Sequence, residues 1–71
     1  MKKSLFDRAR DLRGGVLESR MVARMETEGR PLTDDETKAE CAYILETIDH
    51  AGYDRVETAA IKAACRYILT R

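Results

Sequence analysis

One histidine, two cysteines and a run of three acids are the residues with which this chain could do chemistry. His50 would act as a general base only beside a nucleophile or with a carboxylate orienting its ring. Asp49, the next residue along a helix, projects about 100° away and cannot reliably supply that geometry. The position of His50 in a last helical turn, where the dipole favours a cation, accounts for it. Cys41 and Cys65 are too far apart for a Cys-x-x-Cys motif. Cysteine is among the most often buried residue types, so both read as free thiols in a core. Asp34-Asp35-Glu36 offers three carboxylates, but consecutive helical residues point in different directions, and the run reads as a helix start without an ion. Zinc spacing, a P-loop, GxGxxG and a nucleophile elbow are all missing from the sequence. No nucleophile, base and oxyanion donors can be assembled, so the chain is expected not to be an enzyme and to need no cofactor or metal.

Recognition is the remaining kind of chemistry. Leu17, Met21 and Met25 recur every four residues, with Val22 beside them, and methionine adapts to irregular partner surfaces. Leu5, Ala9, Leu12 and Val16 line a different side. A single helical hairpin would not cover both, so Leu5, Leu12, Leu17, Met21, Val22 and Met25 are expected at a dimer or partner interface. Tyr43 projects roughly opposite to Cys41, Leu45 and Ile48. It either meets a partner or lies beneath the N-terminal helix. Arg8, Arg10, Arg13, Arg20 and Arg24 offer charged contacts from the same N-terminal segment. On the last helix Arg55, Lys62 and Arg66 fall within about 40° of one another, the arrangement by which a helix-turn-helix approaches DNA. That stripe lacks the Asn or Gln that would read adenine.

The elements that position these residues read as helices throughout. Ala, Leu, Arg, Glu and Lys are abundant, and β-branched runs are missing. Ser4 and Asp7 resemble the opening of a capping box, and a helix is expected over 4–13. Gly14-Gly15 either breaks the chain there or bends one long helix, since each glycine costs about 1 kcal/mol inside a helix. Helical spacing resumes over 16–28, and Gly29-Arg30-Pro31 stops it. Thr33 with Glu36 forms the clearest capping box, opening a helix over 34–50 whose inner face is Cys41, Ile44, Leu45 and Ile48. Asp54 with Glu57 repeats the pattern and opens a helix over 55–70, with Val56, Ala60, Ile61, Ala64 and Ile68 on its apolar side. The short link Ala51-Gly52-Tyr53 makes these two an antiparallel or steeply crossing hairpin. Centred on Gly52, such a hairpin sets Cys41 opposite Ala63, so no disulfide is expected. Residues 41–45 (CAYIL) echo 65–69 (CRYIL), which reads as two helices answering similar packing demands.

With 71 residues the chain is one domain, and such a size buries only about 60% of its unfolded surface. Hydrophobic residues are 44%, many of them alanine, and the net charge is zero, so bulk electrostatics do not suggest nucleic acid or membrane. Residues 1–30 hold eight basic and five acidic side chains, and residues 31–71 hold five and eight, giving +3 and −3. No apolar run approaches the roughly 18 residues of a bilayer span, and none comes after the basic start as in a secretory signal, so a cytoplasmic location is expected. The expected fold is all-α, a three- to four-helix bundle dimerising through its N-terminal helices. The expected function is that of a small adaptor or inhibitor that binds another protein, comparable in size and style to host-targeting proteins of phages and mobile elements. The alternative is a small dimeric DNA-binding regulator using the last two helices, against which the acidic C-terminal half counts.

Overall fold

The computed structural model describes residues 4–12 and 15–71. Four α-helices succeed one another: α1 (Leu5–Asp11), α2 (Val16–Glu28), α3 (Asp34–Thr47) and α4 (Arg55–Leu69), with a 3-10 turn at Ile48–His50 closing α3. The described residues contain no strand. The molecule is all-helical and packed into 34 × 24 × 18 Å.

Local capping sets the helix starts. Ser4 Oγ accepts from the Asp7 N–H at 3.1 Å, and Asp54 Oδ1 accepts from the Glu57 N–H at 2.7 Å. At α3 the box is reciprocal: Thr33 Oγ1 accepts from the Glu36 N–H at 3.2 Å, and Glu36 Oε1 accepts from the Thr33 N–H at 2.9 Å. Arg30 adds two bonds to the Glu36 carboxylate, at 2.8 and 3.0 Å. That pair and the box hold the ends of the α2–α3 link together. Asp34 Oδ1 accepts the Leu5 N–H at 3.1 Å, which ties the first turn of α1 to the first turn of α3.

The N-terminal segment is two helices. Leu12 is extended (φ −71, ψ 113), and α2 starts after Gly15, whose φ of +66 is a conformation that disfavours any side chain. Arg13 and Gly14 lie outside the described residues. This break changes the packing expected from sequence. Because α1 and α2 are set by separate backbones, each turns its own apolar side to the same core. Leu5, Leu17 and Met21 are buried there with Phe6, Ala9, Leu32, Cys41, Ile44, Ile48, Ile61, Cys65 and Ile68. Leu5, Leu17 and Met21 are thus covered by this chain, a correction to their expected place at an interface. Leu12 and Met25 are half-buried against the same core, and Val22 is half-buried as well.

A second correction concerns α4. Val56, expected on the apolar side, is 78% exposed, and Ala60 is exposed too. Ile61 and Ile68 are buried as expected, and Cys65, expected at the edge, is buried with them. Cys65 is the neighbour of Cys41, where the sequence register set Ala63. The symmetric register assumed a regular helix to His50, whereas α3 ends at Thr47 and the 3-10 turn rises about 2.0 Å and turns 120° per residue, against 1.5 Å and 100° in an α-helix. Both cysteines are free thiols and fully buried. The neighbouring Cys65 thiol, together with burial, pushes the Cys41 thiol above the ordinary range and keeps it neutral.

Candidate protein-docking groove

The outer side of α2 presents Gly15, Ser19 and Ala23, four residues apart, and these small residues leave a trough. Val16 and Arg20 stand beside them, and the wall opposite is Glu57, Ala60 and Ile61 of α4. Tyr53, from the link before α4, lies between. The groove so formed holds about 750 Å³. A smaller depression of about 160 Å³ continues it, sharing Val16, Arg20 and Tyr53 and reaching Tyr43 and Thr47 on α3. Tyr43 is 53% exposed and Tyr53 42% exposed, so two aromatic rings stand open along one continuous surface. Val56 lies one helical turn before Ala60 on α4 and is exposed.

Tyr43 lies neither in the core nor beneath the N-terminal helix. The Arg20 guanidinium sits over its ring, 5.4 Å from the centroid. Arg20 is held there by Glu40, which is only 4% exposed. The Glu40 carboxylate accepts from Arg20 Nε at 2.7 Å and from Arg24 Nη1 at 2.8 Å, so one buried acid takes two guanidiniums from α2. Arg24 also reaches Glu28 at 3.3 Å. The sequence reading missed Glu40. The available signal was an acid four residues before Ile44, on the inner side of α3, matched by arginines four apart on α2.

The other arginines do not share a face with these. Arg8 Nη1 donates to the Tyr67 hydroxyl at 3.4 Å, and the Arg10 guanidinium lies 5.6 Å from the Phe6 ring centroid. Arg13 is outside the described residues. Arg8, Arg10, Arg20 and Arg24 thus each make a contact within the chain while keeping part of their surface in water. Arg55, Lys62 and Arg66 do gather, around a shallow depression they share with Asp49. Lys62 Nζ lies 2.8 Å from Asp49 Oδ1 and holds that carboxyl below its usual range.

The residues with catalytic potential are dispersed. His50 is exposed at the end of the 3-10 turn. Asp34 and Glu36 are engaged at the start of α3, and no group of three metal-ligating side chains occurs among the described residues. The groove itself offers shape, two aromatic rings, one guanidinium and one carboxylate, a set suited to binding. No helix of the described residues is long and apolar enough to cross a membrane. Compared with known protein families, curated proteins and solved structures, the chain matches none.

Proposed function

We propose that the protein is a non-enzymatic protein–protein interaction module, a small adaptor or inhibitor that docks through the groove between α2 and α4. The observation that carries this reading is the coincidence of a trough of small residues with the two exposed tyrosines. Aromatic residues beside well-packed apolar pockets dominate the energetics of protein interfaces. The interface candidates Leu12, Val22 and Met25 are half-buried and contribute at most at the margin.

Site-specific photo-crosslinking in cells tests it. A crosslinking residue replacing Ala23 or Ala60 should capture protein, and one replacing Ala59, which faces the basic depression, should not. Adding Tyr53→Ala should abolish the adduct. Equal capture from all three positions would refute the proposal.

The DNA-binding reading keeps one specific support: Arg55 and Arg66 flank the shallow depression on α4 without an ion-pair partner among the described residues. If three cations neutralise phosphates, duplex retardation should fall with a log–log salt slope of about −2.7. Arg55→Ala should make that slope shallower by about one unit. No retardation at low salt eliminates this reading.

A further inference from the structure

We infer that Cys41 and Cys65 are a redox site: they form a reversible disulfide that joins α3 to α4, with a low-molecular-weight disulfide such as oxidised glutathione as the oxidant. The inference does not depend on the docking reading. The chain has two cysteines in all, and the fold makes them neighbours although they lie on different helices. Both are fully buried in one cluster with Ile44, Ile61 and Ile68. A bridge requires Cα atoms within about 7 Å of one another. The backbones of α3 and α4 approach closely along their length, as that requires. The register expected from sequence, with Ala63 opposite Cys41, excluded such a bridge, and the observed one permits it.

The chemistry is thiol–disulfide exchange. Cys41 lowers the Cys65 thiol, while its own is raised and keeps its proton. Cys65 is therefore the first nucleophile. Its thiolate attacks one sulfur of oxidised glutathione, forming a mixed disulfide and expelling one glutathione thiolate. Cys41 then gives up its proton and attacks the Cys65 sulfur, which expels the second glutathione thiolate. The two protons released by the protein end on the two glutathiones. The chain loses two electrons and two protons, and one oxidised glutathione becomes two reduced ones. Neither cysteine is open to solvent in the folded chain, so the first attack waits on an opening of the α3–α4 seam. The bridge then closes that route. The cysteines line neither the groove nor the depression that continues it, so oxidation fixes α4 to α3 and leaves the docking residues unmodified.

The full chain is equilibrated at about pH 8 in glutathione buffers of graded ratio and quenched with acid. Mass spectrometry then reads the internal bridge as a loss of two hydrogens and gives its formation constant. The same measurement in urea gives the constant for the unfolded chain. Native proximity should raise the constant at least about tenfold. By the thermodynamic cycle the oxidised chain gains the same factor in folding stability, about 1.4 kcal/mol per tenfold, seen as a higher urea midpoint. Moving the thiol, with Cys65→Ala and Ala63→Cys together, should remove the native advantage, since position 63 is exposed. If that variant fails to fold, the comparison within the parent chain decides alone. A native constant no larger than that in urea overturns the inference. So does oxidised protein made up of glutathione adducts or linked chains in place of the internal bridge, or an equal native advantage in a folded variant with the moved thiol.

Discussion

Glu40 and Cys41 are neighbours on α3, yet they face different helices and hold them by unlike means. On the α4 side Cys41 meets Cys65 within an apolar seam that includes Ile44, Ile61 and Ile68. The side chains at this crossing are short, and α3 and α4 approach closely along their length. On the α2 side the backbones make few close approaches. There two long arginine side chains reach across to one buried carboxylate. The contrast shows how side-chain length sets helix spacing. A thiol seam works only at close range, whereas an arginine clamp spans a wider gap. It also divides the sensitivities: the seam depends on volume, the clamp on charge.

The largest effect should come from the seam. Ile68→Ala removes a fully buried side chain and should cost about 2–5 kcal/mol, read from the urea midpoint. In a domain with so small a core, that is enough to populate the unfolded state. The clamp should cost less. Glu40→Ala strands two guanidiniums, and breaking a buried ion pair typically costs about 3–5 kcal/mol. Arg20 and Arg24 keep 45% and 35% of their side-chain surface in water, so they can turn outward and lower that penalty to about 2 kcal/mol. Glu40→Leu should recover part of the loss, because it fills the site without an unpaired charge. If Glu40→Ala costs more than Ile68→Ala, the ranking of seam over clamp is wrong.

The seam's chemistry offers a milder probe. Cys41→Ala should cost about 1–2 kcal/mol, since it removes one buried sulfur and leaves a small void. A colourimetric thiol reagent at neutral pH should find neither cysteine in the folded protein and both in denaturant. Rapid labelling of the native chain would mean that the α3–α4 seam opens readily.

The legibility of the sequence divides in the same way between near and far. Helix starts depend on residues three apart, and Ser4–Asp7, Thr33–Glu36 and Asp54–Glu57 all cap as their types demand. The echo of CAYIL in CRYIL likewise has a counterpart in packing, for Cys41, Ile44, Cys65 and Ile68 are all buried. Which side of a helix turns inward depends on backbone directions that local patterns do not fix. Val56 therefore lies outside although its spacing groups it with Ala60 and Ile61, and Leu17 and Met21 lie inside because α1 and α2 are separate helices. The groove was invisible for that reason. Its walls come from α2 and α4, and its small residues carry no signal until the two helices are set side by side. Glu40 was obscured by type, since an acid at an inward position reads as a surface residue until its arginines are in view.

The smallest expected effect belongs to the exposed ion pair between Arg30 and Glu36, and it separates charge from volume most cleanly. Hydrogen bonds from Arg30, and then the Thr33 N–H, lower the Glu36 carboxyl from its ordinary 4.5 to about 2. As pH falls, the unfolded chain takes up this proton before the folded one. The stability that Glu36 contributes is therefore complete above pH 4.5, declines between 4.5 and about 2, and is gone below about 2. Glu36→Gln should melt below the parent at neutral pH, and the two melting curves should converge across that window. Arg30→Met should show a smaller offset and a narrower window, because the capping bond to Thr33 remains. A volume-dependent contact has no reason to change between these pH values. An offset for Glu36→Gln that stayed constant from neutral pH down to about 2 would therefore place this residue with the seam's kind of contact and not the clamp's.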